Sequence, residues 1–506
     1  MKKTKTKTKP KNGKKKFTKE HVFVLILFLV VLGARLFFTL QDQGFDYDSY
    51  NALRQVEHIK ETGLPLFKDE LSYSGRTIIF PPFFYYLLAA FSFIVPLALA
   101  AKLLPSIALS SLVIIVYLIT KYTTKNRIAA FIAAFFSGFV PVFYTTLNQI
   151  SIYSLAIPLI FLLSYSFLRI EEKGFAMLSI ILMIILLLTH TSVFILLISL
   201  LAYFVIVRLE KLKTTTKEVE ITLFLLFLAL WFNLLLYKKA FFIHGLSFIL
   251  QNIPAPLLSS YFKDISFIGV IYAVGIVPLL LGVYAVYHVL FKTRNRSAVL
   301  YISFALVSFI MLWLKLIPLR TGLLFLSINL IILSASSIKL ILVTLSKTRM
   351  PRLSFLVAGL IIILFILTTI SPFITTITTY KPQDTDINAL EWIKENTQEH
   401  DVILGRLEEG FLISYIAQRK NVMDYNFLFI DNINQRYDDV NHLFTLRLKS
   451  EAVRLLNRYE IDYILLTTKS MQEYNVSKLF YADEDCFELV YDKDALIYEF
   501  LRCEVE

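Results

Sequence analysis

Two aspartates, Asp46 and Asp48, follow directly on the first long apolar stretch of a 506-residue chain that is 57% hydrophobic. They open a polar and aromatic segment, residues 44–76, which reads GFDYDSYNALRQVEHIKETGLPLFKDELSYSGR. A carboxylate at a membrane edge can take a proton from an attacking group, or stabilise positive charge on a reacting carbon. An acid held at that depth is a site by default, and the plain alternative is a solvated loop with ordinary charges. Farther along, Lys315 and Arg320 bracket a short turn between two apolar runs. They either snorkel to the interface or serve a ligand. His190, in the run Thr189-His190-Thr191-Ser192, can bind an anion, assist proton transfer or cap a turn.

These residues need elements to position them, and composition defines most of those elements. Mean hydropathy is +0.64, and many apolar runs reach the ~18 residues of a membrane-spanning helix. The expected fold is an α-helical polytopic membrane protein. About eleven spans of ~20 residues are expected, at 22–40, 103–120, 128–146, 152–168, 175–189, 193–207, 221–237, 265–290, 299–314, 322–343 and 353–374. The net charge of +12 is not a nucleic-acid signal. Ten lysines crowd the first twenty residues, and the remaining cations gather in loops at 121–127, 169–173, 208–217, 292–296 and 347–352. That pattern puts these loops and the head, 1–20, in the cytoplasm. The head is of low complexity; it serves as a topology signal or grips anionic lipid headgroups. Residues 22–40 read as an uncleaved anchor. The odd span count then places the C-terminus outside, on the face that carries Asp48.

Residues 80–96 are apolar but short, and they open on Pro81-Pro82. A re-entrant or interfacial helix on the outer face keeps the charge rule intact. Residues 238–264, with His244, Gln251 and Asp264, read as a long outer loop. Arg35, inside the first span, is expected to snorkel outward. The membrane domain, 21–378, thus has its first outer loop at 41–79. From about 379 the composition becomes that of a soluble α/β domain, 379–506, with helices at 387–396, 409–419 and 434–459. Strands are expected at 401–404 and 462–467, with a closing hairpin at 487–491 and 496–501. Cys486 and Cys503 flank that hairpin; either a disulfide in an oxidising exterior or two small buried thiols fits. There is no phosphate-cradling glycine loop, no dinucleotide fingerprint and no zinc-ligand spacing.

The plan and a few short motifs together resemble the GT-C membrane glycosyltransferases, and most closely the catalytic subunit of oligosaccharyltransferase. Asp48-Ser-Tyr50-Asn-Ala-Leu-Arg54 is similar to that family's first-loop aspartate–tyrosine–arginine motif. Tyr73-Ser-Gly75-Arg76 looks like its tyrosine–glycine–arginine segment, and Arg320 opens a helix as the family's donor-phosphate arginine does. Residues 389–396, Ala-Leu-Glu-Trp-Ile-Lys-Glu-Asn, resemble the helix that opens its outer domain. The resemblance implies transfer of a sugar from a polyprenyl phosphate or diphosphate to an acceptor on the outer face. Asp48 is then the catalytic carboxylate, with Asp46 beside it. Arg320, and secondarily Arg76, would meet the departing phosphate through paired hydrogen bonds. Tyr50, Arg54, Tyr73 and His190 complete the expected substrate site, with Tyr50 and Arg54 shaping the loop by hydrogen bonding and by pairing with a carboxylate.

Two stretches depart from the family. The segment 143–155, where it carries a second acidic pair, reads FYTTLNQISIYSL. Asp46 and Asp48 alone make a poor Mn2+ or Mg2+ cage, so metal-dependent and metal-independent transfer both stay open. The family's sequon-reading signature is replaced by Arg406-Leu-Glu-Glu-Gly410, which keeps an acid and the glycine. The acceptor expected here is therefore a lipid, a glycan or another protein residue. Two other classes compete: a non-catalytic lipid-glycan-binding relative, and a flippase. Nearly charge-free spans count against the flippase.

Overall fold

The long apolar runs become helices, and the side chains of Asn126, Thr215, Ser266 and Asn295 cap the starts of some of them. The computed structural model describes residues 19–41, 44–263, 266–348, 351–377 and 381–503. The expected head, Asp264 and the junction near 379 lie outside the described residues, the head except for Lys19 and Glu20. Helix α1 (Lys19–Gln41) leads into α2 (Ser49–Thr62) and a small antiparallel ribbon, β1 (Lys68–Asp69) with β2 (Arg76–Thr77). The Pro81-Pro82 pair starts α3 (Phe83–Ser92), a ten-residue helix distinct from any long span. Then come α4 (Leu97–Ser110) and α5 (Leu112–Thr124), which run on as one, α6 (Arg127–Phe139), α7 (Tyr153–Leu168), α8 (Phe175–Leu187), α9 (Val193–Leu209) and α10 (Thr216–Leu236). They are followed by α11 (Lys238–His244), α12 (Ala255–Tyr261), α13 (Phe267–Val274), α14 (Ile276–His288), α15 (Arg296–Trp313), α16 (Leu319–Ser346) and α17 (Leu353–Ile377).

Each of the eleven stretches expected to span is helical. Among the described residues, seven helical runs are long and apolar enough to cross a membrane, or eight if the bent α11–α12 pair counts. The other four, α6 to α9, hold 13 to 17 residues, short of the ~20 that cross a hydrocarbon core. They are short because the chain unwinds beyond them, into a 3-10 segment at Pro141–Thr146 and a turn at 188–192. The expected long loop at 238–264 is largely helical instead. Its apolar residues are discontinuous in sequence, which hid the pattern, and Phe242, Leu246 and Ile249 stand exposed on it.

The bundle core is aromatic. Phe136 meets Phe365 at 4.3 Å, and Phe161 stacks on Phe304 at 5.4 Å. Helices α14 and α16 approach so closely that a Cβ on Gly282 would lie 2.7 Å from the Leu330 carbonyl oxygen, the small-residue contact that membrane helices use. At one end of the bundle Glu20 pairs with Lys121 (2.5 Å) and Arg127 (2.6 Å), tying the start of α1 to the α5–α6 turn. The opposite end carries the first loop and the C-terminal domain.

That domain opens with α18 (Asp384–Asn396) and β3 (Val402–Leu404). Next come the short turns around α19 (Gly410–Leu412), β4 (Lys420–Asn421), α20 (Ile433–Thr445) and α21 (Lys449–Arg458). It closes with β5 (Tyr463–Leu466), α22 (Thr468–Tyr474), β6 (Phe487–Asp492) and β7 (Leu496–Phe500). The sheet order is β4-β3-β5-β7-β6, parallel across the first three strands and antiparallel in the terminal hairpin. Cys486 and Cys503 are bonded, which decides between the two states their spacing allowed. The first loop is built into this domain. Leu53, Val56 and Ile59 of α2 share a core with Phe84 and Leu88 of α3 and with Leu390, Phe411 and Leu412.

Candidate active site

The site begins where α6 gives way to the 3-10 turn. Backbone groups freed from a helix at membrane depth need partners, and two arginines supply them. Arg35 donates from Nη1 to the Phe143 carbonyl (3.0 Å), lies over the Tyr144 ring, and is 2% exposed. The outward snorkelling expected from sequence is not what the structure shows: the Phe143 carbonyl and the Tyr144 ring take the guanidinium and offset its burial. From α16, Arg320 donates from Nη2 to the Thr145 carbonyl at 2.7 Å.

The first loop then docks on the clamped segment. The Asp46 amide donates to the Asn148 carbonyl (3.1 Å). The Asp46 carboxylate accepts from the Ser49 amide (3.2 Å), the Ser49 hydroxyl and the Gln149 side chain. Ser49 Oγ in turn accepts from the Ile150 amide at 2.8 Å. Burial raises the Asp46 carboxyl above the usual range, and Ser49 and Arg320 oppose the rise. Asp48 differs in kind. It alone is exposed in the run 45–50, where every neighbour is buried. Water reaches its side chain, yet protein surrounds it on most sides, the combination expected on the wall of a recess. Burial pushes its carboxyl up to about 7, Asp46 and Glu408 push the same way, and Arg320 opposes them. A crowded carboxylate beside like charges resists ionisation.

The structure therefore brings Asp46, Asp48 and Arg320 together at the end of the bundle that the C-terminal domain covers. Arg320 Nε is buried without a hydrogen-bond partner among the described residues. Tyr153 and Thr321 hydrogen-bond beside it. His190 lies next to Tyr153, ring centroids 4.6 Å apart, and its Nδ1 accepts from the Ser192 amide at 3.0 Å. Burial lowers the imidazole to about 4, so at neutral pH it is an uncharged turn cap.

The other expected site residues are engaged elsewhere, in joining the first loop to the C-terminal domain. Tyr50 packs on Tyr415 (5.7 Å). Arg54 pairs with both oxygens of Asp69 at 2.9 and 2.6 Å, the carboxylate partner expected for it. Tyr73 donates from its hydroxyl to the Asp424 carbonyl and from its amide to Asn421 Oδ1. Arg76 pairs with Asp424 at 2.8 Å and donates to the Asn426 carbonyl.

One member of the site comes from the C-terminal domain. Glu408 accepts from the Tyr425 hydroxyl at 2.9 Å, and its charge is felt by Asp48. Its neighbours explain its position. Arg406 and Glu409 form a buried pair (3.1 Å), to which Thr467 donates at 2.6 Å. Gly410 lies so close to Met423 and Asp424 that no side chain fits there. With Glu409 turned inward, Glu408 is left facing Asp48. The acid in Arg406-Leu-Glu-Glu-Gly410 was the available signal; sequence alone did not say which glutamate turns toward the recess.

Among the described residues no three of His, Cys, Asp and Glu gather as a metal-binding group. Asp46 already spends lone pairs on Ser49 and Gln149. Glu408 is likewise held by Tyr425, and the three acids do not converge, so they do not fit a resident divalent site made by this chain alone, and no step below runs through a metal.

Bundle, first loop and covering α/β domain define a class: the fold is that of the GT-C membrane glycosyltransferases. The oligosaccharyltransferase of Archaeoglobus fulgidus, in its apo form, superposes with a TM-score of 0.70 at 15% identity, over 93% of this chain and 73% of that one. The same archaeal enzyme, AglB, in complex with an inhibitory peptide and a dolichol-phosphate gives 0.67 at 14% identity, over 89% and 70%. ArnT from Cupriavidus metallidurans, bound to undecaprenyl phosphate, gives 0.56 at 11% identity and covers 94% of this chain and 97% of its own. No protein-family model matches the chain, and no curated protein sequence does either.

Proposed function

We propose that this protein is a membrane glycosyltransferase. It moves a sugar or oligosaccharide from a polyprenyl phosphate or diphosphate to an acceptor on the outer face, with its N-terminus in the cytoplasm. One observation carries the reading: Asp48, a reachable carboxylate that resists ionisation, lies close enough to Arg320, a cation with an unsatisfied donor, for each to feel the other's charge. The chemistry then balances. The acceptor heteroatom attacks the anomeric carbon and gives its proton to Asp48. The bond from that carbon to the phosphate oxygen breaks, and its electron pair leaves with the phosphate, whose growing charge Arg320 meets. Asp46, fixed by Ser49, holds the loop and keeps Asp48 from ionising too easily. Solved structures of similar fold support the donor class, since their complexes include dolichol-phosphate and undecaprenyl phosphate.

The acceptor differs from an asparagine sequon in this reading, because Arg406-Leu-Glu-Glu-Gly410 stands in place of the sequon-reading signature and keeps only an acid and the glycine of it. The test uses purified protein and its Asp48→Asn variant, each with polyprenyl-phosphate and polyprenyl-diphosphate sugars. Sugar release by the wild type alone supports the reading. Retained lipid binding with no turnover in either protein would make the chain a binding relative.

A further inference from the structure

The tyrosine–glycine–arginine segment of the first loop does not reach Asp48, yet its backbone is held in an unusual form. Tyr73 (φ 52°), Ser74 (φ 59°) and Gly75 (φ 123°) are three successive residues at positive φ. Only the glycine adopts such a conformation freely. Strain of this kind persists where surrounding bonds enforce it, and it gathers at functional sites. Here Asn421 and Asp424 enforce it, and the outcome is that Tyr73 lines a cleft of about 610 Å³ between the first loop, α11 and α20.

The cleft has a definite chemistry. Arg436 lies over two rings at once, Tyr73 (5.3 Å) and Tyr459 (4.9 Å), and Lys239 lies over Phe429 (5.1 Å). Neither cation has an ion pair among the described residues, whereas Arg76 and Arg458, also on the wall, are paired with Asp424 and Asp439. The side-chain amides of Asn432 and Gln435 complete the lining and are exposed. A guanidinium stacked between rings keeps its N–H edge free for a planar anion. Aromatic faces beside amides suit the C–H faces and hydroxyls of a sugar. The cleft also shares a wall with the transfer centre. Tyr425 faces Glu408, while Phe429 and Ile430, a few residues on, line the cleft.

We propose that this cleft is a second saccharide-binding site, which takes an acidic sugar segment of a glycan handled at the transfer centre. The choice of a glycan rests on the transferase reading. A bare phosphate or lipid headgroup is a poorer match, because it would leave the amides and rings idle and would offer no hydroxyl to Asp431, which also lines the cleft.

Binding is measured by calorimetry on the full chain in phosphatidylcholine nanodiscs. The probes are tetragalacturonate, a sulfated tetrasaccharide, a phosphorylated tetrasaccharide, neutral maltotetraose and inorganic phosphate. At least one acidic saccharide is expected to bind, with maltotetraose and phosphate ~10-fold weaker or silent. Arg436→Gln and Lys239→Gln should each weaken that binding ~10-fold, and Asp48→Asn should leave it unchanged. Phosphate binding as well as the saccharides, competition by phosphatidylglycerol nanodiscs, no binding of any acidic probe, or indifference to both substitutions would overturn the proposal. Size-exclusion profiles of the two variants check that they fold, and either variant suffices. The readout is separate from turnover. Lost transfer with intact saccharide binding counts against the transferase reading, and lost binding with intact transfer counts against the cleft.

Discussion

Arg320 donates to the Thr145 carbonyl at 2.7 Å while its Nε has no hydrogen-bond partner among the described residues. One edge of the guanidinium thus holds the unwound segment after α6, while the buried Nε still has a proton to donate. A lysine could supply the charge but not both donors. Arg320→Gln is expected to cut turnover of a polyprenyl-phosphate sugar by ~10²–10³, the usual loss for a donor that meets developing charge. Arg320→Lys should recover only part of it. A lysine variant as fast as wild type would show that a point charge is enough.

Asp48 should set the pH dependence. Only its anion can accept the acceptor's proton, and its carboxyl is raised to about 7. Turnover should therefore climb as pH rises through about 7, and Asp48→Asn should lose ~10²–10⁴ of the rate with no such limb. Stability carries the opposite sign. A carboxyl harder to ionise when folded costs nothing where it is protonated in both states, and it penalises folding as pH rises through the interval up to about 7. The Asn variant should thus gain in Tm relative to wild type at pH 8 compared with pH 4. Thermal scans at the two pH values check this, and equal differences would remove Asp48 from the recess.

The donor set around Asp46 gives a third expectation. Dialysis against EDTA should leave sugar release within about twofold of the untreated rate, because Asp46, Asp48 and Glu408 do not converge as a divalent cage. Loss of activity on chelation, restored by Mn2+ or Mg2+, would mean that substrate phosphates complete a metal site.

The Cys486–Cys503 bond closes a loop of 17 residues beside the last hairpin. Removing it by Cys503→Ser should cost about 3 kcal/mol of domain stability on the loop-closure account. Denaturant unfolding of the full chain, followed by probes in the C-terminal domain, reads the loss. Turnover of the folded variant should be unaffected, since the bond lies on the far side of the sheet from the β3 end that carries Glu408.

Long-range chemistry was legible wherever one residue could announce itself. Asp48 stood out as an acid next to an apolar run, and Arg320 as a cation at the edge of a short turn between two apolar runs. The strands at 402–404 and 463–466 and the last hairpin follow from alternation and turn residues, so they fall where expected. What stayed hidden depends on three-dimensional pairing. Arg35 looked like a snorkelling cation because sequence does not reveal that the chain unwinds at Pro141–Thr146 and offers carbonyls to it. Arg320, and secondarily Arg76, read from sequence as arginines for the departing phosphate. Only the fold shows that Asp424, far away in sequence, takes Arg76 while Arg320 keeps an Nε proton to donate. Residues 238–264 concealed their helices for a related reason: short helical pieces broken by glycine and proline leave no run long enough to show a period.

Glu408 offers the sharpest separation between a site and a coincidence of charges. It belongs to the C-terminal domain, Asp48 to the first loop and Arg320 to α16, so their coupling exists only in the folded chain. Glu408 raises the Asp48 carboxyl and Arg320 lowers it. Glu408→Gln keeps an acceptor for the Tyr425 hydroxyl but removes the charge. It should therefore move the rising limb of the pH–rate profile to lower pH, while Arg320→Gln, in whatever activity remains, moves it to higher pH. A purely structural glutamate would lower the rate without moving the midpoint. If Glu408 also contacts the acceptor, the substitution raises the acceptor KM as well and leaves hydrolysis of the donor by water at its wild-type level. Opposite displacements in the two variants would show that three separate parts of the chain titrate as one centre; displacements of the same sign, or none, would dissolve it.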